Sequence, residues 1–182
     1  MDLTLTHRLG IFSLKIINYD DLKFLMELRN HPETRKFLGY SLKISMNDQQ
    51  AWFNRLKTAT DKLYFIFQFQ KLSSDKVEKI GMIRIHDIDC INKNMGVGGD
   101  IHPLFRGKGY GKIMYDLIFQ LGFEKMKMHR LWLSVVEFNT VARNLYIKKG
   151  FMETGIQREA IFKNGKYVNY IYMDILNREY LK

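Results

Sequence analysis

The segment Arg106-Gly107-Lys108-Gly109-Tyr110-Gly111-Lys112 constrains the fold more than any other part of this 182-residue chain. It lies between a strand-like stretch, Gly96 to Ile101, and a run from about Gly109 to Lys125 with apolar residues at Ile113/Met114, Leu117/Ile118 and Leu121. That spacing marks one face of a helix. A strand that turns through alternating glycines into an amphipathic helix calls for a layered fold, with helices packed on a sheet. The glycines let the backbone curl so that successive N–H groups point inward. The helix start adds unpaired N–H donors and the positive end of its dipole. Two lysines and an arginine supply charge at the rim, which makes a site for a diphosphate. The segment fits neither the dinucleotide spacing G-x-G-x-x-G nor the Walker spacing, because Ile113 follows Gly111-Lys112. A flexible surface loop is the alternative that this segment alone leaves open.

The rest of the chain alternates strands and helices. Phe12 to Ile17 reads as a first strand, and Asp20 or Asp21 as the cap of a helix carrying Leu22, Leu25, Met26 and Leu28. A short helix follows over Thr34 to Leu38. Ser45 and Asp48 form a capping-box pattern that opens a helix with Trp52, Phe53 and Leu56. Leu63 to Phe69 is a strand by its aromatic and β-rich content, Lys79 to His86 reads as a strand that pairs with it, and Met95 to Ile101 as another. Leu131 to Val136 is a buried strand by its near-continuous apolarity. Asn139 starts a helix that Gly150 stops, and Phe151 begins the next strand. Glu159 to Phe162 and Tyr167 to Ile175 flank Asn164-Gly165, a strong hairpin signal. The order β-α-α-α-β-β-β-α-β-α-β-β is an α+β fold of mixed α/β layers, read as one domain over 1–182.

Charge narrows the partners. There are 29 Lys and Arg against 19 Asp and Glu, a formal net charge of +10. A basic surface favours anions such as phosphorylated small molecules, lipid headgroups or nucleic acid. No block of consecutive basic residues marks a nucleic-acid arm, so nucleic acid is not the expected partner. The single cysteine, Cys90, excludes an internal disulfide framework and suits a reducing compartment. No apolar run reaches the roughly 20 residues that a membrane span needs, so the expectation is a cytoplasmic protein. His7, His86 and His129 lack metal-ligand spacing, and no metal is expected.

Arg106-Gly107-Lys108-Gly109-Tyr110-Gly111 resembles the Arg/Gln-x-x-Gly-x-Gly/Ala loop of the GNAT superfamily of N-acetyltransferases. A second block, from Asn139 through Ala142 and Tyr146 to Gly150-Phe151, is similar to that family's N-x-x-A-x-x-x-Y-x-x-x-G-F helix. The resemblance covers nearly the whole chain. It implies a twisted, mostly antiparallel sheet of about seven strands flanked by helices and splayed between strands 4 and 5. Leu28-Arg29-Asn30-His31-Pro32 further resembles a first-helix signature shared by two branches. One acetylates ribosomal-protein N-termini, and the other acetylates nucleotide-linked amino sugars of the pseudaminic acid pathway. Asn169 stands where the ribosomal type often carries an acidic residue, which favours the sugar reading.

The resemblance also implies roles. Acetyl-CoA is the co-substrate, with its pyrophosphate held by the backbone N–H groups of Gly107, Lys108, Gly109, Tyr110 and Gly111. Arg106, Lys108 and Lys112 pair with phosphate oxygens. Asp100 and Ile101 line the pantetheine arm, and the Ile101 N–H polarises the thioester carbonyl. Asn139 binds pantetheine or simply caps its helix. Tyr146 is the general acid for the departing thiolate, with a packed core tyrosine as the alternative. Glu137 is the first candidate for the base, with Asp100 and His102 as runners-up. Arg29, Asn30 and His31 are assigned to the acceptor side. Cys90 is read as a packed, inert residue. The expected reaction is direct attack by a primary amine in a ternary complex, in a monomer or homodimer. The expected acceptor is a nucleotide-linked amino sugar. A protein N-terminus and a non-catalytic acetyl-CoA-binding module remain alternatives.

Overall fold

The structure, a computed structural model, describes residues 3–39 and 42–180. Eight strands form one sheet in the order β1-β2-β3-β4-β5-β6-β8-β7. β1 (Leu3–His7), β2 (Gly10–Ile16), β3 (Leu63–Gln70), β4 (Val77–Asp89) and β5 (Asn94–Ile101) pair antiparallel in succession. β6 (Arg130–Val136) then runs parallel to β5, and β8 (Lys166–Leu176) carries the edge strand β7 (Met152–Lys163). The extra strand relative to the sequence reading is β1. It is only five residues long and sits at the sheet margin, so its alternation gives little signal.

Helices cover both faces. α1 (Leu22–Asn30), the one-turn α2 (Pro32–Arg35) and α3 (Met46–Leu56) follow β2. Leu22, Leu25 and Leu28 of α1 and Phe53 of α3 bury one face of the sheet against Ile66 and Met82. The expected helix over Thr34 to Leu38 is therefore shorter and begins earlier, at Pro32, where the fixed φ of proline suits a first helical turn. Neither Asp20 nor Asp21 caps α1. The Asn18 side chain accepts from Asp20 N–H, while the buried Asp21 carboxylate accepts from Asn18 N–H and holds Lys79 at 2.6 Å. The Ser45–Asp48 capping box forms as read.

α4 (Tyr110–Phe119) and α5 (Thr140–Lys148) lie on the other face. Ile113, Leu117 and Ile118 pack there with Phe65, Ile83 and Leu131, and α5 adds Ala142, Leu145 and Tyr146. The long amphipathic run widens into a π-turn over Gln120–Lys125. A Cβ at Gly122 would sit 2.7 Å from Met95 and 2.8 Å from Leu131, so glycine lets this turn lie directly on the sheet. The β7–β8 turn is Asn164-Gly165, with φ of 50° and 81°. These are left-handed values that match the twist of a two-residue hairpin. A four-residue helix, α6 (Asn177–Tyr180), closes the described chain.

Candidate active site

β5 and β6 pair only at Asn94–Arg130, Met95–Leu131 and Gly96–Trp132, and then diverge. Their remaining backbone groups face an open slot. His102 N–H donates to Ile80 O at 2.9 Å, on the β4 side. Since N–H direction alternates along a strand, Gly99 and Ile101 turn theirs toward β6. The Ile101 carbonyl is held from below by Arg106 Nε at 2.8 Å, which fixes that peptide's orientation.

A cavity of about 710 Å³ runs through this slot. On the α4–α5 face it is lined by Met114, Tyr115, Leu145 and Tyr146. On the α1–α3 face it is lined by Arg84, Asp100, Ser134 and Tyr170. Arg84 is the register partner of Gly98, and its guanidinium lies where a Cβ on Gly98 would come within 2.8 Å. Arg84 Nη1 donates to Asp100 Oδ2 at 2.6 Å, and this carboxylate holds the guanidinium proton more firmly still.

The glycine loop closes one end of the cavity. Gly107 and Gly109 have φ of +76° and +82°, a region that side chains resist. Nothing stands within 4 Å of where their Cβ atoms would be. Arg106 N–H bonds Pro103 O and Lys112 N–H bonds Gly109 O. The five N–H groups between them, Gly107 to Gly111, have no acceptor among the described residues. They stand at the N-terminus of α4, where the helix dipole adds partial positive charge. Five unpaired donors beside an open slot suit a diphosphate attached to an extended arm.

A family model for the acetyltransferase (GNAT) domain matches residues 13–152. The chain belongs to this family. A GNAT domain of this kind transfers acetyl from acetyl-CoA to an amine, and the chain is an acetyl-CoA-dependent N-acetyltransferase. Its relatives include the spermidine N(1)-acetyltransferase of Vibrio cholerae serotype O1, 24% identical over 93% of this chain and 95% of that one. YdaF of Bacillus subtilis, named for ribosomal N-acetylation, is 28% identical over 55% of each chain. The crystal structure of the Vibrio cholerae spermidine N-acetyltransferase with CoA and spermine shares the fold, with a TM-score of 0.85 and 24% identity. That match covers 94% of this chain and 98% of that one.

Within this GNAT site the residues singled out from sequence separate into two groups. Asp100, Ile101, Gly107, Gly109, Tyr110, Gly111 and Lys112 come together around the cavity, joined by Asn139, Tyr146 and Arg29. The Tyr110 ring itself turns into the core against Phe12 and Phe69, leaving its backbone at the loop. Asn139 caps α5 by accepting from Ala142 N–H at 3.3 Å. Tyr146 is half-buried, with its ring centroid 5.1 Å from that of Tyr115. Burial pushes its phenol up from the ordinary value, while the Tyr115 hydroxyl and the Arg84 guanidinium pull the other way.

Other positions are committed elsewhere. Arg106 borders the cavity, yet its three guanidinium nitrogens donate to Ile101 O, Glu33 O and Thr34 Oγ1. Lys108 stands outside the lining, with its ammonium over the Phe105 ring at 5.2 Å. Asn30 bonds both the N–H and the carbonyl of Ile44, which ties α1 to the approach of α3. His31 caps α2 by accepting from Glu33 N–H. Both oxygens of Glu137 accept from Asn169, at 3.0 and 2.8 Å, away from the cavity. Asn169 also accepts from Glu159 N–H and so holds the bulged part of β7. His102 accepts from Leu104 N–H, and burial lowers its pKa. Cys90 is exposed in the turn between β4 and β5, rather than packed.

Sequence reasoning passed over Arg84, Thr34, Tyr115, Ser134 and Tyr170. Arg84 had a usable signal, a lone charge among Met82, Ile83 and Ile85. The others are common residue types whose importance comes from the strands and helices that meet here. Among the described residues, no helix is long and apolar enough to cross a membrane.

Proposed function

We propose that the protein acetylates the primary amine of an anionic acceptor, a nucleotide-linked amino sugar, by direct attack on acetyl-CoA in a ternary complex. The observation that carries the acceptor class is the charge of the cavity. Arg29, Lys36, Arg84, Arg106 and Lys112 line it against two carboxylates, Glu33 and Asp100. Each carboxylate is already ion-paired, Glu33 with Lys36 at 2.5 Å and Asp100 with Arg84 at 2.6 Å. With both carboxylates neutralised in these pairs, the lining keeps an excess of three positive charges, which repels a polycation and attracts a phosphate.

In this reading the N–H groups of Gly107 to Gly111 hold the pyrophosphate of CoA, Lys112 adds charge, and the arm follows β5 to the slot. The Ile101 N–H meets the carbonyl oxygen as it gains charge. The amine attacks the carbonyl carbon, the C–N bond forms, and the C–S bond breaks with its electron pair leaving on sulfur. Tyr146, kept protonated by burial, gives its proton to that sulfur. The proton lost by the amine passes to water and restores the phenol.

Polyamine acetylation is the competing reading, supported by the relatives named for spermidine. Measuring kcat/KM side by side for a nucleotide-linked amino sugar, spermidine and a basic peptide decides between them. Preference for the sugar nucleotide supports the proposal. A higher value for spermidine or for the peptide overturns it.

A further inference from the structure

Tyr115 occupies a core position where phenylalanine would serve as well for packing. Its side chain is 2% exposed and is surrounded by Phe119, Phe151 and Tyr146 at ring-centroid distances of 6.3, 5.8 and 5.1 Å. Its hydroxyl is shielded from solvent, and no acceptor meets it in hydrogen-bond geometry among the described residues. A buried hydroxyl without a partner is costly, and such groups are uncommon in folded proteins. This one borders the reaction slot beside Tyr146.

We infer that Tyr115 is a positioning residue for acetyl transfer, donating its hydroxyl hydrogen to the Tyr146 oxygen when the substrates are bound. This rests on the reading of Tyr146 as proton donor. The bond does two things. It occupies the Tyr146 lone pair on the core side, so that the Tyr146 hydrogen turns toward the sulfur. It also stabilises the negative charge that collects on the Tyr146 oxygen as the proton moves. Tyr115 keeps its own proton throughout, and the transfer to sulfur balances as described above. Hydrogen bonds of this kind are often long or poorly aligned before substrates bind, which fits two rings 5.1 Å apart with the Tyr115 hydroxyl unbonded.

The electrostatic surroundings give the pair a direction. Burial pushes both phenols up, Tyr115 well above its ordinary value. The neighbouring Tyr146 raises Tyr115 further, while Tyr115 works against the rise at Tyr146. Because the Tyr146 hydrogen is the one given to sulfur, the Tyr146 oxygen accepts on its core side and Tyr115 is the donor. Arg84, across the slot, opposes the rise at both and favours charge on this side of the cavity.

The test is Tyr115→Phe beside Tyr146→Phe and the double variant, with kcat, KM for acetyl-CoA and melting temperature measured for each. Tyr115→Phe should lower kcat by about 10-fold, the worth of one net hydrogen bond. Its KM for acetyl-CoA should stay put and its melting temperature hold or rise, since the hydroxyl removed has no partner. The double variant should be no slower than Tyr146→Phe. An unchanged kcat for Tyr115→Phe while Tyr146→Phe is impaired overturns this inference and leaves the role of Tyr146 standing. A wild-type kcat for Tyr146→Phe instead removes the underlying reading. A fall in kcat accompanied by a lower melting temperature and a raised KM marks Tyr115 as structural and also overturns the inference.

Discussion

Arg106 Nη2 donates to Thr34 Oγ1 at 2.7 Å, and so joins the glycine loop to α2 across 72 positions of sequence. The same guanidinium holds Glu33 O and Ile101 O. Arg106 is thus a strut between the end of the cavity that the loop closes and the end that α1 and α2 close. Arg106→Lys loses the planar fork that makes three bonds at once. The variant should be less stable by about 2 kcal/mol, the net worth of the bonds lost, and KM for both substrates should rise. Chemical denaturation and initial rates check this; a rise in KM for acetyl-CoA alone would instead make Arg106 a simple phosphate ligand.

Gly109 has a φ of +82° and open space where a Cβ would go. Gly109→Val strains the backbone by about 1–3 kcal/mol and puts a branched side chain beside the free N–H groups proposed to hold the pyrophosphate. Acetyl-CoA binding, followed by calorimetry, should weaken at least about 10-fold for each bond lost. Lys112→Ala should weaken it less, because the backbone donors stay in place.

Arg84 donates to Asp100 across the β4–β5 pair. Arg84→Met leaves the Asp100 carboxylate without its counter-charge. Because both groups are partly exposed, the cost should be about 2 kcal/mol rather than the larger figure of a fully buried pair. The proposed acceptor geometry further requires KM for the acceptor to rise while KM for acetyl-CoA holds. Initial rates varying each substrate in turn measure the split.

Asp21 gives a pH prediction. Burial works to raise its carboxyl, but Lys79, the Asn18 N–H and Lys15 together hold it below its usual value of 3.8. A lowered folded pKa contributes stability that is fully present above about pH 3.8 and is lost as pH falls through the folded value. Unfolding free energy should therefore drop on acidification below that point, and Asp21→Asn should flatten the drop. Denaturant melts between neutral and strongly acid pH test it, and parallel curves for the two proteins would remove the contribution.

The fold was legible because its elements carry strong local signals. The glycine loop, the Asn139–Gly150 helix with its cap and stop, and the Asn164-Gly165 turn each announce one backbone geometry. Backbone roles in the site follow from them, since free N–H groups depend on loop shape rather than on side chains. Side-chain roles were harder to read. Arg106, Asn30, His31 and Glu137 have functional chemistry, yet each is held by a partner far away in sequence or by a cap. Nothing local distinguishes Asn30 bound to Ile44 from an asparagine facing a ligand. Tyr115 and Arg84 were passed over for the opposite reason. They lie inside apolar runs, and only the splay of β5 from β6 brings them to the cavity.

The proposed reaction is direct transfer between two substrates that meet in the β5–β6 slot. Cys90, the one cysteine, is exposed in the β4–β5 turn and does not line the cavity, so it offers no thiol to carry an acetyl group. Initial rates of thiol release, with acetyl-CoA and acceptor varied together, test this most directly. Direct transfer gives double-reciprocal lines that intersect and no thiol burst when acceptor is omitted. Parallel lines, with one equivalent of thiol released and acetyl left on the protein before acceptor is added, would contradict it.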